Sequence, residues 1–265
     1  MILGYFMDKN VDLKISVIMP ALNEEKNILA AIGNTFQAFS DLEINGEIIA
    51  INDGSSDATG SIMEKIARDF PGRLQIIKHE KPKGIGVSFW DGVDDARGVI
   101  VVMLPGDNEN DPMETLRYAK LLEHVDIVIP FVFNREARPF FRNILSFVYR
   151  FIINSTFLVN FNYTNGTVLY RRSILQELDA RSDSFFFQTD ILIRVVKRGY
   201  LFAEVPYRLG VRKSGISKAV SFPSLFNVAR GYLRLVKDLY FIKNNNNHSH
   251  IFSSDTQTAL RRKNT

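Results

Sequence analysis

Short apolar runs alternate with longer amphipathic ones along the first half of the chain. Ile15–Met19, Glu47–Ile51, Leu74–Lys78, Val99–Leu104 and Val125–Phe131 are rich in β-branched residues and bounded by turn formers. Runs of this kind predict strands buried on both faces. Between them, apolar residues fall three and four apart: Ile28, Ile32, Phe36 and Phe39, then Ile62, Ile66 and Phe70. These predict helices with one buried stripe. Asn23 is expected to cap the first helix, with Glu24 and Glu25 in its first turn. The second is expected over Ala58–Phe70. The third opens at Lys81–Gly86 and reaches about Ala96, and Asp111 caps a fourth with Pro112 at its first position. Strand and helix alternating on short connections predict a mostly parallel sheet with right-handed crossovers and helices on both faces. The loops Pro20–Glu24, Asn52–Asp57, His79–Gly86 and Pro105–Asp111 then meet at one edge, where open α/β sheets bind ligands.

Beyond residue 131 the alternation loosens. Phe140–Phe157 reads as a helix that is apolar nearly all round yet carries Arg142 and Arg150. Thr167–Tyr170 is a strand, and Ser173 is expected to cap a short helix. A further helix runs from Thr189 or Asp190 to Arg198 and ends at Gly199, followed by a strand over Phe202–Val205. Ser221–Lys243 is helical, aromatic and basic. The Asn-rich tail from Asn244 is expected to be disordered. The chain thus divides into one domain over 1–218, with a nucleotide-binding half at about 14–131 and an acceptor half at 132–218. A basic amphipathic helix over 219–243 and the tail over 244–265 follow.

Composition narrows the classes. At 265 residues, 46% apolar and 23% charged, the chain is globular, and the absence of cysteine excludes a disulfide framework or thiolate metal site. Met1–Val11 lacks the basic start and apolar core of a signal peptide, and no window suits a membrane span. A cytoplasmic location is expected. The net charge of +4 is uneven: from Arg208 to Lys243 eight basic residues stand against Asp238 alone. Such a block suits an anionic partner. It is not interleaved with a nucleic-acid reader motif, so no nucleic acid is expected.

The candidate chemistry sits after Val99–Leu104, where Pro105-Gly106 is followed by Asp107, Asn108 and Glu109. Closely spaced oxygen donors suit a hard cation, Mg²⁺ or Mn²⁺. Asp107 and Glu109 alternate, so in an extended segment both face one way. Asp111 serves the helix cap, which leaves the other two acids for a ligand. Asp53, in Asn52-Asp53-Gly54-Ser55-Ser56-Asp57, occupies the equivalent end of the second strand. Together the two acidic loops can hold a nucleotide and its metal-bound diphosphate. Gly84-Ile85-Gly86 allows close approach of a phosphate or sugar. Arg212-Lys213-Ser214-Gly215-Ile216-Ser217-Lys218 can clamp a diphosphate or a phosphorylated acceptor. The four histidines show no ligand spacing.

Seven segments, in order, resemble the GT-A fold, family 2 glycosyltransferases, and among them the dolichol-phosphate mannose synthase and polyprenyl-phosphate glycosyltransferase branch. They are SVIMPALNEEKNI, IAINDGSSDAT, KPKGIGVSFWDG, VVMLPGDNENDP, NGTVLYRRSIL, FFFQTDILIRVVKRGY and AEVPYRLGVRKSGISK, spanning about Ser16 to Lys218. The resemblance implies that Pro20, Ala21, Asn23, Glu24 and Asp53 contact the nucleotide. It implies Asp107 as the second carboxylate of the acidic metal motif and Glu109 as a further ligand. Arg135 and Arg142 match arginines around the sugar diphosphate or acceptor phosphate. Arg212, Ser217 and Lys218 match a phosphate-binding end, and Gln188 and Asp190 fall in the acceptor-facing segment. The motif's first acid is replaced here by Pro105.

The expected reaction moves a sugar, with inversion, from a nucleotide diphosphate sugar to a polyprenyl phosphate. Asp107, Arg212 and, for a hydroxyl acceptor only, the base Asp190 are its catalytic residues. The Phe140–Phe157 and Phe222–Lys243 helices are expected to lie in a membrane interface, making the protein peripheral on the cytoplasmic face; packing on the sheet or contact in a homo-oligomer is the alternative. A non-catalytic relative that binds sugar nucleotides is the rival reading, supported by Pro105.

Overall fold

The computed structural model describes residues 15–134, 140–208, 222–241 and 252–263. The strands are β1 (Ile15–Ala21), β2 (Gly46–Asn52), β3 (Leu74–Lys78), β4 (Ile100–Met103), β5 (Ile127–Val132), β6 (Leu169–Arg171) and β7 (Phe202–Tyr207). The helices are α1 (Ile28–Asp41), α2 (Thr59–Ala67), α3 (Ile85–Asp95), α4 (Pro112–Leu116), α5 (Phe140–Phe157), α6 (Arg172–Gln176), α7 (Phe187–Arg198), α8 (Phe222–Val236) and α9 (Gln257–Lys263). A π turn, Lys237–Phe241, continues α8.

The seven strands form one sheet in the order β3-β2-β1-β4-β6-β5-β7. All run parallel except β6, which lies antiparallel between β4 and β5. The chain returns from α5 on the ligand side, with Gly166 packed against the Pro130 carbonyl. It therefore enters β6 from the edge where the other strands end. That reversal brings 165–167 to the strand ends of β1, β2 and β4.

The strands read as unbroken apolar runs because both faces are covered. Ile18, Ile49, Val101, Ile127 and Ile129 pack with α3, α5 and α7. Val17, Ile48, Ala50, Val102 and Val128 pack with α1, α2 and α4. The period-two alternation of a pleated strand thus sorts a continuous run into two cores. Each such side chain contributes about 1.5–3 kcal/mol by burial.

Several local expectations shift. Asn23 does not cap α1; it is left-handed (φ 58°), and its Oδ1 accepts from the Ser56 backbone N–H at 2.9 Å. The helix starts only at Ile28, because Glu24 and Glu25 are tied to the neighbouring loop through Thr59 and Asp57. Ser173 lies inside α6, whose N-cap is Arg171, and its hydroxyl donates to Asp255 instead. Asp111 does cap α4, accepting from the Met113 N–H at 2.9 Å.

The expectation of a disordered tail fails for 252–263. Asp126, fully buried at the head of β5, accepts from the Gln257 N–H at 2.5 Å, the Thr258 N–H at 3.1 Å and the Thr258 hydroxyl. Ser253 donates from its backbone to Glu177 at 3.0 Å. A buried carboxylate with few partners in its own domain recruits them from the tail.

Candidate active site at the strand ends

The hydrogen-bonded ladder continues past the ends of the central strands. Asp53 donates from its backbone to the Ala21 carbonyl at 2.9 Å, and Gly106 donates to the Pro20 carbonyl at 3.0 Å. Pro20 and Ala21 therefore lie between the Asp53 loop and the Asp107 loop. Gly106 is required there: a Cβ would meet Ile28 and Ala21 at 2.8 and 2.9 Å. The β1–α1 and β2–α2 loops are cross-linked through Asn23, Ser55, Ser56 and Thr59, which holds Asn23 and Glu24 beside Asp53.

Asp53 is buried and its carboxylate is fully engaged. Oδ1 accepts from the Lys83 N–H at 2.8 Å and lies 2.7 Å from His79 Nδ1, while Oδ2 accepts from the Gly84 N–H at 2.9 Å. Gly84 adopts φ 97°, which only glycine accepts without strain. Asp53 thus shapes the turn that opens α3. His79 Nε2 reaches Asp91 at 2.9 Å, so the buried imidazole bridges two carboxylates. Residue spacing assigns His79 no role; its position directly after β3, matching Asp53 after β2, is the signal that marks it.

The acidic loop after β4 is a turn rather than an extended segment. Asn108 is left-handed (φ 56°) and accepts from the Asn34 side chain at 3.1 Å; Asp107 Oδ1 accepts from the Glu109 N–H at 3.1 Å. The expected common facing of Asp107 and Glu109 is lost with the extended backbone. Glu109 lines a groove with Asn34, Gln37 and Met113 between α1 and α4. Among the described residues no cluster of three or more His, Asp or Glu side chains forms a cage for a metal. The donor set still fits Mg²⁺ or Mn²⁺ of the kind held by one or two carboxylates and completed by substrate phosphates.

On the other side of β4 a small cavity is lined by Met103, Pro105, Val132, Asn165, Thr167 and Tyr207 among others. Gln188 and Asp190 lie in the first turn of α7, both buried. Asp190 Oδ2 accepts from Arg194 Nε at 3.0 Å, and Arg194 Nη2 donates to Asp238 at 2.6 Å. Burial raises the Asp190 carboxyl above its ordinary value, against the pull of Arg194. Its described polar partner is this arginine, not a group of the strand-end loops. Arg135, Arg212, Ser217 and Lys218 lie outside the described residues, as does the side chain of Arg142 in α5.

Residues 16–179 match the family described as Glycosyl transferase family 2. The chain belongs to this family. It is 29% identical over 219 residues to the polyprenol monophosphomannose synthase of Mycolicibacterium smegmatis, covering 76% of this chain and 79% of that protein. It is 25% identical over 249 residues to the dodecaprenyl-phosphate galacturonate synthase of Rhizobium johnstonii, covering 91% and 71%. The fold is shared with glucosyl-3-phosphoglycerate synthase from Mycobacterium tuberculosis, solved with uridine diphosphate, at a TM-score of 0.60 and 22% identity over 85% of this chain and 79% of that one. That synthase has also been solved with Mn²⁺ and UDP-glucose. The chain is therefore a family 2 glycosyltransferase with the mostly parallel α/β architecture expected of it.

Proposed function

We propose that this glycosyltransferase moves a sugar, with inversion, from a nucleotide diphosphate sugar to a polyprenyl phosphate at a membrane surface. The curated relatives above carry polyprenyl-phosphate sugar synthase names. The observation that carries the acceptor side is an apolar stripe on α5. Ile144, Phe147, Val148, Phe151 and Ile152 follow one helix face and are all exposed, Phe151 by 62%. The opposite face, with Ile153 and Phe157, is buried in the core. Beside it, α8 and its π turn expose Phe226, Leu233, Tyr240 and Phe241 alongside Arg230 and Arg234, and Tyr240 hydrogen-bonds the Thr156 carbonyl of α5. Aromatic and aliphatic groups flanked by arginines suit the headgroup boundary of an anionic bilayer. Among the described residues no helix is long and apolar enough to cross a membrane.

A phosphate acceptor is already anionic and needs no general base, in keeping with an Asp190 held by Arg194. Pro20, Ala21, Asn23, Glu24, Asp53 and Gly84 surround the nucleotide in this reading. Asp107, with Glu109 nearby, would hold a divalent cation, which when bound offsets charge on the leaving diphosphate. Arg135, Arg142, Arg212, Ser217 and Lys218 bind phosphates.

The test pairs liposome flotation with transfer from a panel of nucleotide sugars to polyprenyl phosphate in anionic vesicles. Phe147→Glu with Phe151→Glu should abolish flotation and cut transfer while leaving the thermal melt intact. Wild-type protein that stays in the soluble fraction and transfers only to water-soluble hydroxyl acceptors would overturn the lipid reading. A second reading, binding without catalysis, is favoured by Pro105 in place of the first acid. It predicts nucleotide-sugar binding without turnover, unaltered by Asp107→Ala.

A further inference from the structure

We propose that Asn165 is the residue that reads a hydroxyl of the transferred sugar, its amide aimed by Thr189 and Tyr149. The inference rests on the donor half of the reading above and is independent of the acceptor.

The cavity beside Pro105 differs in chemistry from the Asp107 loop. Met103, Pro105 and Val132 give it an apolar wall, and Asn165, Thr167 and Tyr207 give it polar groups. Its described lining carries no formal charge, which suits a neutral ring with hydroxyls rather than a phosphate. It also starts two residues before Asp107, so a sugar attached to a diphosphate at Asp107 reaches it directly.

The polar groups of the wall are not equally available. Thr167 Oγ1 is 2.9 Å from Thr115 Oγ1, and the Tyr207 hydroxyl donates to Asn110 Oδ1 at 3.0 Å. Asn165 Oδ1 accepts from the Thr189 hydroxyl at 3.1 Å. Among the described residues nothing accepts from the Asn165 amide nitrogen, so two N–H donors remain for a ligand.

The aim of that amide is set from behind. Thr189 is fully buried in the first turn of α7, and Tyr149 of α5 contacts its hydroxyl at 2.8 Å. Burial pushes the Tyr149 phenol up to about 12 despite its hydrogen bonds to Thr189, Asn165 and Thr164. The phenol therefore keeps its hydrogen and donates it to Thr189. Thr189 turns its own hydrogen toward Asn165 Oδ1 or Thr164 Oγ1, both at 3.1 Å. The oxygen of Asn165 is held on the protein side, leaving the nitrogen for the cavity.

Calorimetry on the full chain tests this with two pairs of probes: UDP-glucose against UDP, and GDP-mannose against GDP. For whichever pair the wild type binds, Asn165→Ser should weaken the nucleotide sugar about tenfold and the free nucleotide by no more than about twofold. Thr189→Val should cost the nucleotide sugar about fivefold, and Thr189→Ser, which restores the hydroxyl, should recover it. Thermal melts on each variant separate a folding defect from a lost contact. Equal loss of sugar and free nucleotide, or no loss of either, overturns the proposal. So does a wild type that binds none of the four probes. Because no acceptor is present, selective loss in Asn165→Ser alongside failed transfer to polyprenyl phosphate would sink the acceptor reading alone.

Discussion

Replacing Asp53 with asparagine changes one atom and removes a charge at the most heavily used carboxylate of the site. The amide oxygen of the new side chain can still accept from the Lys83 N–H, but its nitrogen must face the Gly84 N–H that Asp53 Oδ2 now satisfies at 2.9 Å. Two donors then oppose each other in a buried position, and the His79 imidazole loses one of its two carboxylate partners. A hydrogen bond to a charged group contributes about 1.5–3 kcal/mol, and a buried donor left unmade costs about 1–3 kcal/mol. Because the two overlap, Asp53→Asn should lower unfolding free energy by about 2–4 kcal/mol, a large part of the roughly 5–15 kcal/mol of a typical domain. At a urea slope of about 3 kcal/mol/M this moves the midpoint down by about 1 M. Urea unfolding followed by tryptophan fluorescence reads it well, since Trp90 sits on α3, the helix that this turn opens. The double variant with His79→Gln should show a coupling of about 1–3 kcal/mol. A midpoint within about 0.2 M of wild type would refute the claim that Asp53 builds the turn. Loss of nucleotide binding without loss of stability would make it a ligand contact only.

Other consequences follow from the same geometry. Asp107→Ala should reduce transfer by about 10²-fold or more, with an unchanged melt, and should remove the response to added Mn²⁺ in a chelator-stripped assay. Asp126→Ala leaves the Gln257, Thr258 and Leu201 N–H groups and Arg171 without their carboxylate. It should destabilise by about 3–5 kcal/mol and expose 252–263 to limited proteolysis. Burial alone would raise the Glu47 carboxyl, but bonds from Ser16 and Arg97 outweigh it and hold it below its ordinary 4.5. Its stabilisation is therefore present above that value and is lost as pH falls through the depressed folded-state value, so Glu47→Gln should flatten the acid limb of a stability–pH curve. Tyr170 buries its hydroxyl with no partner among the described residues. Tyr170→Phe should be neutral or stabilising by up to about 1 kcal/mol in urea unfolding.

Much of the architecture was legible because it rests on local rules. Apolar runs ending at Pro20, Asp53, His79 and Pro105 mark strands covered on both faces, and strand ends in such sheets gather ligands. Turn chemistry at Gly84, Gly106 and Asp111 was legible too, since positive φ, close approach and capping are properties of one residue and its neighbours. What only the tertiary structure decided depends on contacts between segments far apart in the chain. Nothing local says that Asn23 will bind Ser56 rather than cap its own helix, or that β6 will run against its neighbours and deliver Asn165 to the site. The alternation of Asp107 and Glu109 misled because a left-handed Asn108 breaks the extended geometry on which alternation depends. The tail looked disordered because its composition is polar; it folds because Asp126, more than a hundred residues earlier, has no water to bind and takes the N–H groups of α9 instead. Periodicity reports which face of an element is buried, and it carries no information about which partner, from where in the chain, will meet a buried charge.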